Sequence, residues 1–153
     1  RGLTVPTVTF YLLPEQAAAH QSELADAPAR FIQAARLCAD LYRQNQWVFV
    51  FCQNQADAEQ LDEVLWRFDP DRFVPHNLAG EGPSRGAPVE ISAQPPRSSR
   101  AVLVNLSDNV PPFAARYQQV IEFVPNDDAG KQLAREKFKI YRQAGQTPQT
   151  VQL

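Results

Sequence analysis

A glycine-rich loop at residues 76–88 is the first stretch of the chain that suggests chemistry. Its sequence, HNLAGEGPSRGAP, holds three glycines and two prolines in thirteen residues, as a loop that cradles a phosphate would. Phosphate-binding loops present backbone N–H groups at the start of a helix that follows a strand. Here Pro83 removes one donor, and the residues APVEIS at the end of the loop predict a strand. We therefore expect a tight loop whose glycines adopt positive φ, not a nucleotide site.

Cysteine and histidine side chains supply the other candidates for catalysis. A cysteine at the carboxyl end of a parallel strand lies where such sheets bind ligands, which makes Cys52 and His76 a candidate nucleophile and base. We favour the competing interpretation, that Cys52 packs in the core and His76 bonds backbone groups of its own loop. His20 and His76 lack metal-ligand spacing to each other and to the cysteines. We expect no catalytic residue, no metal ion and no cofactor.

Composition and charge limit the classes of protein to which the chain can belong. Its 153 residues, 44% of them apolar, fit one domain with one core. The formal charge of −2 argues against a general nucleic-acid binder. No apolar run approaches the roughly 18 residues of a membrane span, and two cysteines that fit buried positions favour a reducing compartment. We therefore expect a cytoplasmic protein.

Hydrophobic patterning predicts alternating strands and helices. Helices are expected at 29–44, after Asn54 as far as the residues before Pro70, and at 128–144, because apolar residues recur there at helical spacing. Continuous apolar runs predict strands at 8–13, 47–52, 88–92, 101–106 and 118–124. This order predicts a single α/β domain over residues 1–153, a three-layer sandwich with helices flanking a mostly parallel sheet. Residues 145–153 are expected to form a flexible tail.

Trp66 lies outside the apolar stripe of the helix that follows Asn54. At about 100° per residue, it falls between Asp62 and Glu59, on the side expected to face solvent. Phe73 and Val74 follow soon after and complete an apolar patch of the kind enriched at interface centres. The alternative, that the segment FVPHNL folds back over Trp66, is equally compatible with the pattern.

The last helix combines cations with an aromatic ring. Residues 131–142 hold five cations and one acidic residue, a local charge of +4 against −2 for the whole chain. A solvated face explains the cations but not the ring of Phe138. The helical wheel predicts that Leu133, Ile140 and Ala144 face the core, that Lys131, Arg135 and Arg142 lie opposite, and that Lys139 and Phe138 border the apolar stripe.

Such a surface fits an anionic ligand with an apolar or aromatic end. Single-stranded DNA would require a longer basic groove and several stacking rings. An acidic peptide fits better, with its terminal carboxylate paired to a guanidinium and a neighbouring apolar residue packed on Phe138. A contact this small predicts a Kd on the order of micromolar. Direct single-strand binding, and a nucleotide- or metabolite-binding enzyme of the same fold, remain the alternatives.

Three segments taken together resemble the chi subunit of bacterial DNA polymerase III. They are VTFYLL, LDEVLWRFDPDRFVPHNLAGEGPSRGAPVEI and VIEFVPNDDAGKQLAREKFKIYRQAG, in this order along nearly the whole chain. The resemblance implies a Rossmann-like fold and a non-catalytic accessory subunit of the clamp-loader assembly. It also implies two partners, the psi subunit and the acidic C-terminal tail of single-stranded-DNA-binding protein.

The resemblance assigns these partners to the two surfaces described above. Trp66 and Phe73 match aromatic positions of the psi-contacting region, and Val74 is grouped with them. The last helix matches the tail-binding helix, with Arg135 as the expected partner of the terminal carboxylate and Phe138 where some relatives have a tyrosine. The expected tail-binding residues are Val124, Lys131, Arg135, Phe138, Lys139 and Arg142.

Overall fold

A computed structural model describes residues 6–14, 27–67, 74–82 and 86–153. Within these ranges the strands are β1 (Thr7–Leu12), β2 (Val48–Phe51), β3 (His76–Leu78), β4 (Val89–Ser92), β5 (Val102–Asn105), β6 (Gln119–Val124) and β7 (Gln149–Gln152). The helices are α1 (Ala29–Arg43), α2 (Gln55–Arg67) and α3 (Asp128–Gln143). No helix among the described residues is long and apolar enough to cross a membrane.

The strands form one sheet in the order β3-β4-β2-β5-β6-β1-β7. Every pairing in it is parallel, because each connection crosses from one end of the sheet back to the other. The predicted α/β sandwich with a mostly parallel sheet is therefore confirmed.

The two sides of the sheet carry separate cores. Val48 and Val50 pack with α1 and α2 on one side, whereas Phe49 between them belongs to the cluster on the other side, as strand alternation requires. That second cluster contains Phe10 of β1 and Tyr141 of α3. Helix α3 consequently lies on the opposite side of the sheet from α1 and α2.

Local sequence signals explain where the helices begin and end. The Asp57 N–H donates to the Asn54 side chain over 2.8 Å, so Asn54 caps α2, which begins after Asn54 as the sequence predicts. Asp127 caps α3 by accepting from the Gly130 N–H at 2.6 Å. Gly145, at φ 89°, ends α3: its N–H bonds to Arg142 O and the next N–H bonds to Tyr141 O. This left-handed closure turns the chain back toward the sheet.

Two predictions of local structure are wrong. Residues 145–153 are not a flexible tail throughout, because Gln149–Gln152 form β7 and pair with β1 from Thr9 to Leu12. Similarly, His76–Leu78 form strand β3 at the other edge of the sheet, where a loop was expected. Both strands are short and lack apolar alternation, so only their pairing with a neighbouring strand defines them.

Candidate binding groove

A groove of about 740 Å³ lies between α3, β7 and the carboxyl ends of β1 and β6. Apolar side chains form its floor, cations of α3 form one rim, and β7 forms the other wall. The floor includes Phe10, Leu12, Leu13, Val124, Ala134 and Phe138; the rim has Lys131, Arg135 and Lys139; the wall has Thr150 and Gln152. Five of the six predicted tail-binding residues therefore line one cavity.

Phe138 is half-buried, whereas a ring among cations on a solvated helix face would be exposed. Its ring centroid lies 5.4 Å from that of Phe10 at an interplanar angle of 47°. One part of the ring thus packs on β1, and the rest lines the groove. Val124, 8% exposed, lies in the floor. Packing on Phe10 fixes the ring in place, so a ligand meets a preformed apolar surface.

The cations on the rim have no acidic partner among the described residues. Lys131, Arg135 and Lys139 are exposed, and the contact that Arg135 makes is a 3.3 Å hydrogen bond from its guanidinium to the Gln132 side chain. Their charge is therefore available to an anion, which an exposed guanidinium can bind in a bidentate manner.

Arg142 is the predicted tail-binding residue that does not line this groove. It lies beside Phe138 around a second cavity of about 420 Å³, whose other lining residues come from the turn at 145–148. Phe138 lines both cavities. Arg142 is thus placed to contact a ligand only where the ligand extends past the ring.

The predicted core face of α3 is wrong. Leu133 and Ile140 are 37% and 47% exposed, and Ala144 is exposed as well. The buried residues of α3 are Lys137 and Tyr141. The helix is rotated so that its polar side chains point into the sheet, which brings Ala134 and Phe138 to the groove.

Glu122 of β6 explains this rotation. Its side chain is 1% exposed and accepts hydrogen bonds from Lys137 at 2.8 Å, Tyr141 at 2.6 Å and Asn105 at 2.8 Å. Lys137 also donates to Ser107 O at 2.6 Å. Burial raises the pKa of Glu122, and the charge of Lys137 opposes that rise. A buried carboxylate is costly without such partners, so α3 must present Lys137 and Tyr141 to it.

This network was not identified from the sequence, and neither were the parts of the groove that β1 and β7 form. One signal was present, because Glu122 is the single charge in the apolar run VIEFV. A lone charge inside a buried strand requires a partner, and the cations of the last helix, the next element along the chain, were candidates. No comparable signal marked Thr150 or Gln152, which lie in a polar segment.

Trp66 forms a second surface with its neighbours on α2 and β3. It is 57% exposed, and its ring centroid lies 4.7 Å from that of His76. The His76 Nδ1–H donates to Val74 O at 2.7 Å, and Nε2 lies 3.3 Å from the Asp62 carboxylate. Burial raises the pKa of Asp62, whereas the charge of His76 lowers it. These contacts hold the ring against His76, and more than half of the Trp66 surface still remains exposed.

Val74 does not belong to an exposed patch, as was predicted. It is 2% exposed and packs in the core cluster beneath α1 and α2, so a partner cannot contact its side chain in this conformation. Phe73, the third predicted residue of this surface, lies outside the described residues.

The structure separates the candidate nucleophile from the candidate base. His76 is level with Val89 and Val48 across the sheet, and Cys52 lies four residues beyond Val48, roughly 13 Å further along the strand direction. Burial raises the pKa of Cys52 to about 12. A nucleophile and base must be within hydrogen-bonding distance, so this pair cannot act together.

The glycine-rich loop has the backbone conformation that was predicted. Gly80, Gly82 and Gly86 have φ of 89°, 87° and 75°, and the element that follows is strand β4. At Gly86 the positive φ favours glycine, and a Cβ would in addition lie 2.6 Å from a Glu90 carboxylate oxygen, which would have to move. No group of His, Cys, Asp and Glu side chains suited to a metal ion occurs in the described part of the chain.

Comparison with known proteins identifies the family. A family model described as DNA polymerase III chi subunit, HolC, matches residues 5–149. The DNA polymerase III subunit chi of Escherichia coli is 46% identical over 111 residues, 71% of this chain and 76% of that protein. The Haemophilus influenzae subunit chi is 38% identical over 91% of this chain and 92% of that protein. The Pseudomonas aeruginosa protein of the same name is 36% identical over 90% of each.

A solved structure supports the fold alone. The crystal structure of T4 UvsW superposes with a TM-score of 0.62 at 9% identity, over 96% of this chain and 41% of that one. The family model and the three relatives, in contrast, match most of this chain and all carry the name of the same replication protein. The chain belongs to the chi subunit family of DNA polymerase III and is a non-catalytic accessory subunit in DNA replication.

Proposed function

We propose that this subunit connects the clamp loader, through the psi subunit, to the acidic C-terminal tail of single-stranded-DNA-binding protein. In this proposal the groove beside α3 binds the tail, and the surface around Trp66 binds psi. The observation that carries the proposal is the combination of an apolar groove floor with a rim of exposed cations. The work of the subunit would take place in the cytoplasm, and no bond would be made or broken.

The dimensions of the groove suit the end of an extended peptide. From Lys131 to Lys139 the rim extends about 12 Å along the helix, which is the length of three to four extended residues. The terminal carboxylate would pair with Arg135, an aromatic terminal residue would pack on Phe138, and upstream acidic residues would lie near Lys131 and Lys139.

Weak binding at this groove is sufficient for coupling. Many tails are present together on coated single-stranded DNA, and the polymerase assembly is held nearby. A high effective concentration then compensates for a Kd on the order of micromolar.

The experiment is a fluorescence-anisotropy titration of the folded protein with a labelled acidic peptide that ends in Pro-Phe, alongside a pull-down with psi. Arg135→Ala is expected to lose the peptide and keep psi, whereas Trp66→Ala is expected to do the reverse. Arg36→Ala, which removes an exposed arginine from α1 on the other side of the sheet, is the charge-matched control.

Two outcomes would contradict the proposal. Equal loss of both partners in Arg135→Ala and Trp66→Ala would mean that there is one surface instead of two. Binding of an unstructured oligonucleotide as tightly as the peptide would favour a direct single-strand binder.

A further inference from the structure

The outer edge of β7 carries backbone groups that pair with no strand among the described residues. In the sheet β7 is the terminal strand, with β1 as its neighbour. All four of its residues are exposed. An edge strand of this kind is a template for a further strand unless it is protected.

The direction of each backbone group on β7 follows from the pairing with β1. The Leu153 N–H donates to Leu12 O at 3.0 Å. In a parallel ladder a residue directs its N–H and C=O to the same neighbour, and the next residue directs both groups the other way. Val151 and Leu153 therefore face β1, and Thr150 and Gln152 direct their N–H and C=O groups outward.

The same two residues line the binding groove. Thr150 and Gln152 form its wall opposite Arg135 and Lys139. Their outward-directed backbone groups repeat at roughly 7 Å, the spacing of alternate residues in a strand. An extended peptide that pairs with them would direct every second side chain to the side of the sheet that holds Phe138.

We propose that the acidic tail binds by strand addition, as an eighth strand hydrogen-bonded to the backbone of Thr150 and Gln152, with its apolar end in the groove. This rests on the proposed function and specifies how the groove selects an extended peptide. Charge supports the same occupant, since the opposite rim carries three exposed cations that have no acidic partner in the described part of the chain. Main-chain pairing then supplies affinity, and the groove supplies selectivity for alternate side chains.

Strand addition predicts that every second backbone N–H of the peptide contributes to binding. A penultimate proline, which lacks an N–H, fits an added strand where that position faces away from β7. Successive residues upstream of the proline then alternate between N–H groups that bond β7 and N–H groups that face solvent.

The test is backbone N-methylation of the peptide, one residue at a time, at the four positions before the proline. We expect alternate positions to lose about fivefold or more in affinity, because a hydrogen bond to Thr150 or Gln152 is removed. The intervening positions are the matched controls and should stay within about twofold. A flat or non-alternating scan would overturn strand addition.

A protein variant tests the same bond from the other side. Thr150→Pro removes an outward N–H and leaves the pairing of β7 with β1 intact, as proline does on edge strands. It should weaken peptide binding about fivefold, and clearly more than Thr150→Val, which changes the side chain in the groove wall but keeps the N–H. Full affinity in Thr150→Pro would contradict the proposal.

The two proposals fail in different ways. If the unmodified peptide binds and Arg135→Ala abolishes binding while the methylation scan is flat, strand addition is wrong and tail binding stands. If the unmodified peptide does not bind the wild-type protein, the proposed function itself is wrong, and strand addition with it.

Discussion

The contacts that Phe138 and Arg135 make within the protein determine how each side chain can interact with a partner. Phe138 packs on Phe10 and still lines the groove, so its position is fixed before a ligand arrives. Arg135 is exposed, and the bond it makes is to a neutral amide of its own helix. A fixed ring beside an available guanidinium is a small recognition site for an anionic tail with an apolar end.

Replacing Phe138 tests this site at the level of one side chain. Phe138→Ala should weaken binding of the acidic peptide tenfold or more, because the loss of a buried aromatic contact costs about 1.5–3 kcal/mol. Phe138→Tyr should bind nearly as wild type, since the ring remains. Ile140→Ala, a truncation on the exposed opposite flank of α3, is the control and should leave peptide affinity unchanged; anisotropy titration measures all three.

The cysteines are expected to be chemically inert in the folded protein. Burial raises the pKa of Cys38 and of Cys52 to about 12, and both are 0% exposed. Since the thiolate is the reactive form, iodoacetamide at neutral pH should label neither residue until the protein is unfolded with urea. Mass spectrometry after timed labelling gives the answer, and rapid alkylation of Cys52 in the native state would show that the site is open.

At the scale of elements, the Glu122 network fixes how α3 lies on the sheet. The helix has no wide apolar stripe to bury; instead, Lys137 and Tyr141 bond a carboxylate that β6 carries into the core. This geometry turns Ala134 and Phe138 toward the groove and leaves Leu133 and Ile140 exposed. The orientation of the binding helix is therefore set by buried polar contacts.

Lys137→Met should destabilise the protein by about 3–5 kcal/mol, because it leaves Glu122 buried without its cation. The pKa of Glu122 would then rise further, since the charge that opposed burial is gone. Between the ordinary and the raised pKa, the folded state holds a proton that the unfolded state releases, so the stability of the variant should fall as pH rises through this window.

Urea unfolding of this variant at about pH 5 and about pH 8 measures both effects. Lys139→Met, the same change at an exposed position two residues away, should alter stability by less than about 0.5 kcal/mol. Equal losses in the two variants, or a pH dependence like that of the wild type, would mean that the buried ion pair does not hold the helix.

At the scale of the whole molecule, the sheet separates the two candidate surfaces. Trp66 lies on α2, which packs with α1 against one side, and Phe138 lies on α3 against the other. The sheet that lies between these surfaces is continuous. Two partners therefore have room to bind together.

We expect psi and the peptide to bind simultaneously and without coupling. The peptide Kd should change by less than about twofold when psi is saturating, since coupling requires a shared two-state element. Raising salt from roughly 0.05 to 0.5 M should weaken the peptide complex severalfold and the psi complex less, because exposed charges are screened. Competition between psi and the peptide in anisotropy measurements would contradict the separation of the surfaces.

The sequence by itself determined the α/β class, the order of the long elements and the cationic, aromatic character of the last helix. Those features depend on local periodicity: apolar runs such as VTFYLL, the cap at Asn54 and the spacing of Lys131, Arg135 and Lys139. The family can also be identified from the sequence, because segments that resemble the chi subunit occur along nearly the whole chain.

Only the tertiary structure decided the rotation of α3, the burial of Val74, the separation of Cys52 from His76 and the strand formed by Gln149–Gln152. Each depends on a partner distant in sequence. The buried carboxylate of Glu122 outweighed the wheel prediction for α3, since leaving a charge unpaired costs more than exposing Leu133 and Ile140. In the same way, β7 has no apolar pattern of its own and exists because β1 offers it backbone partners.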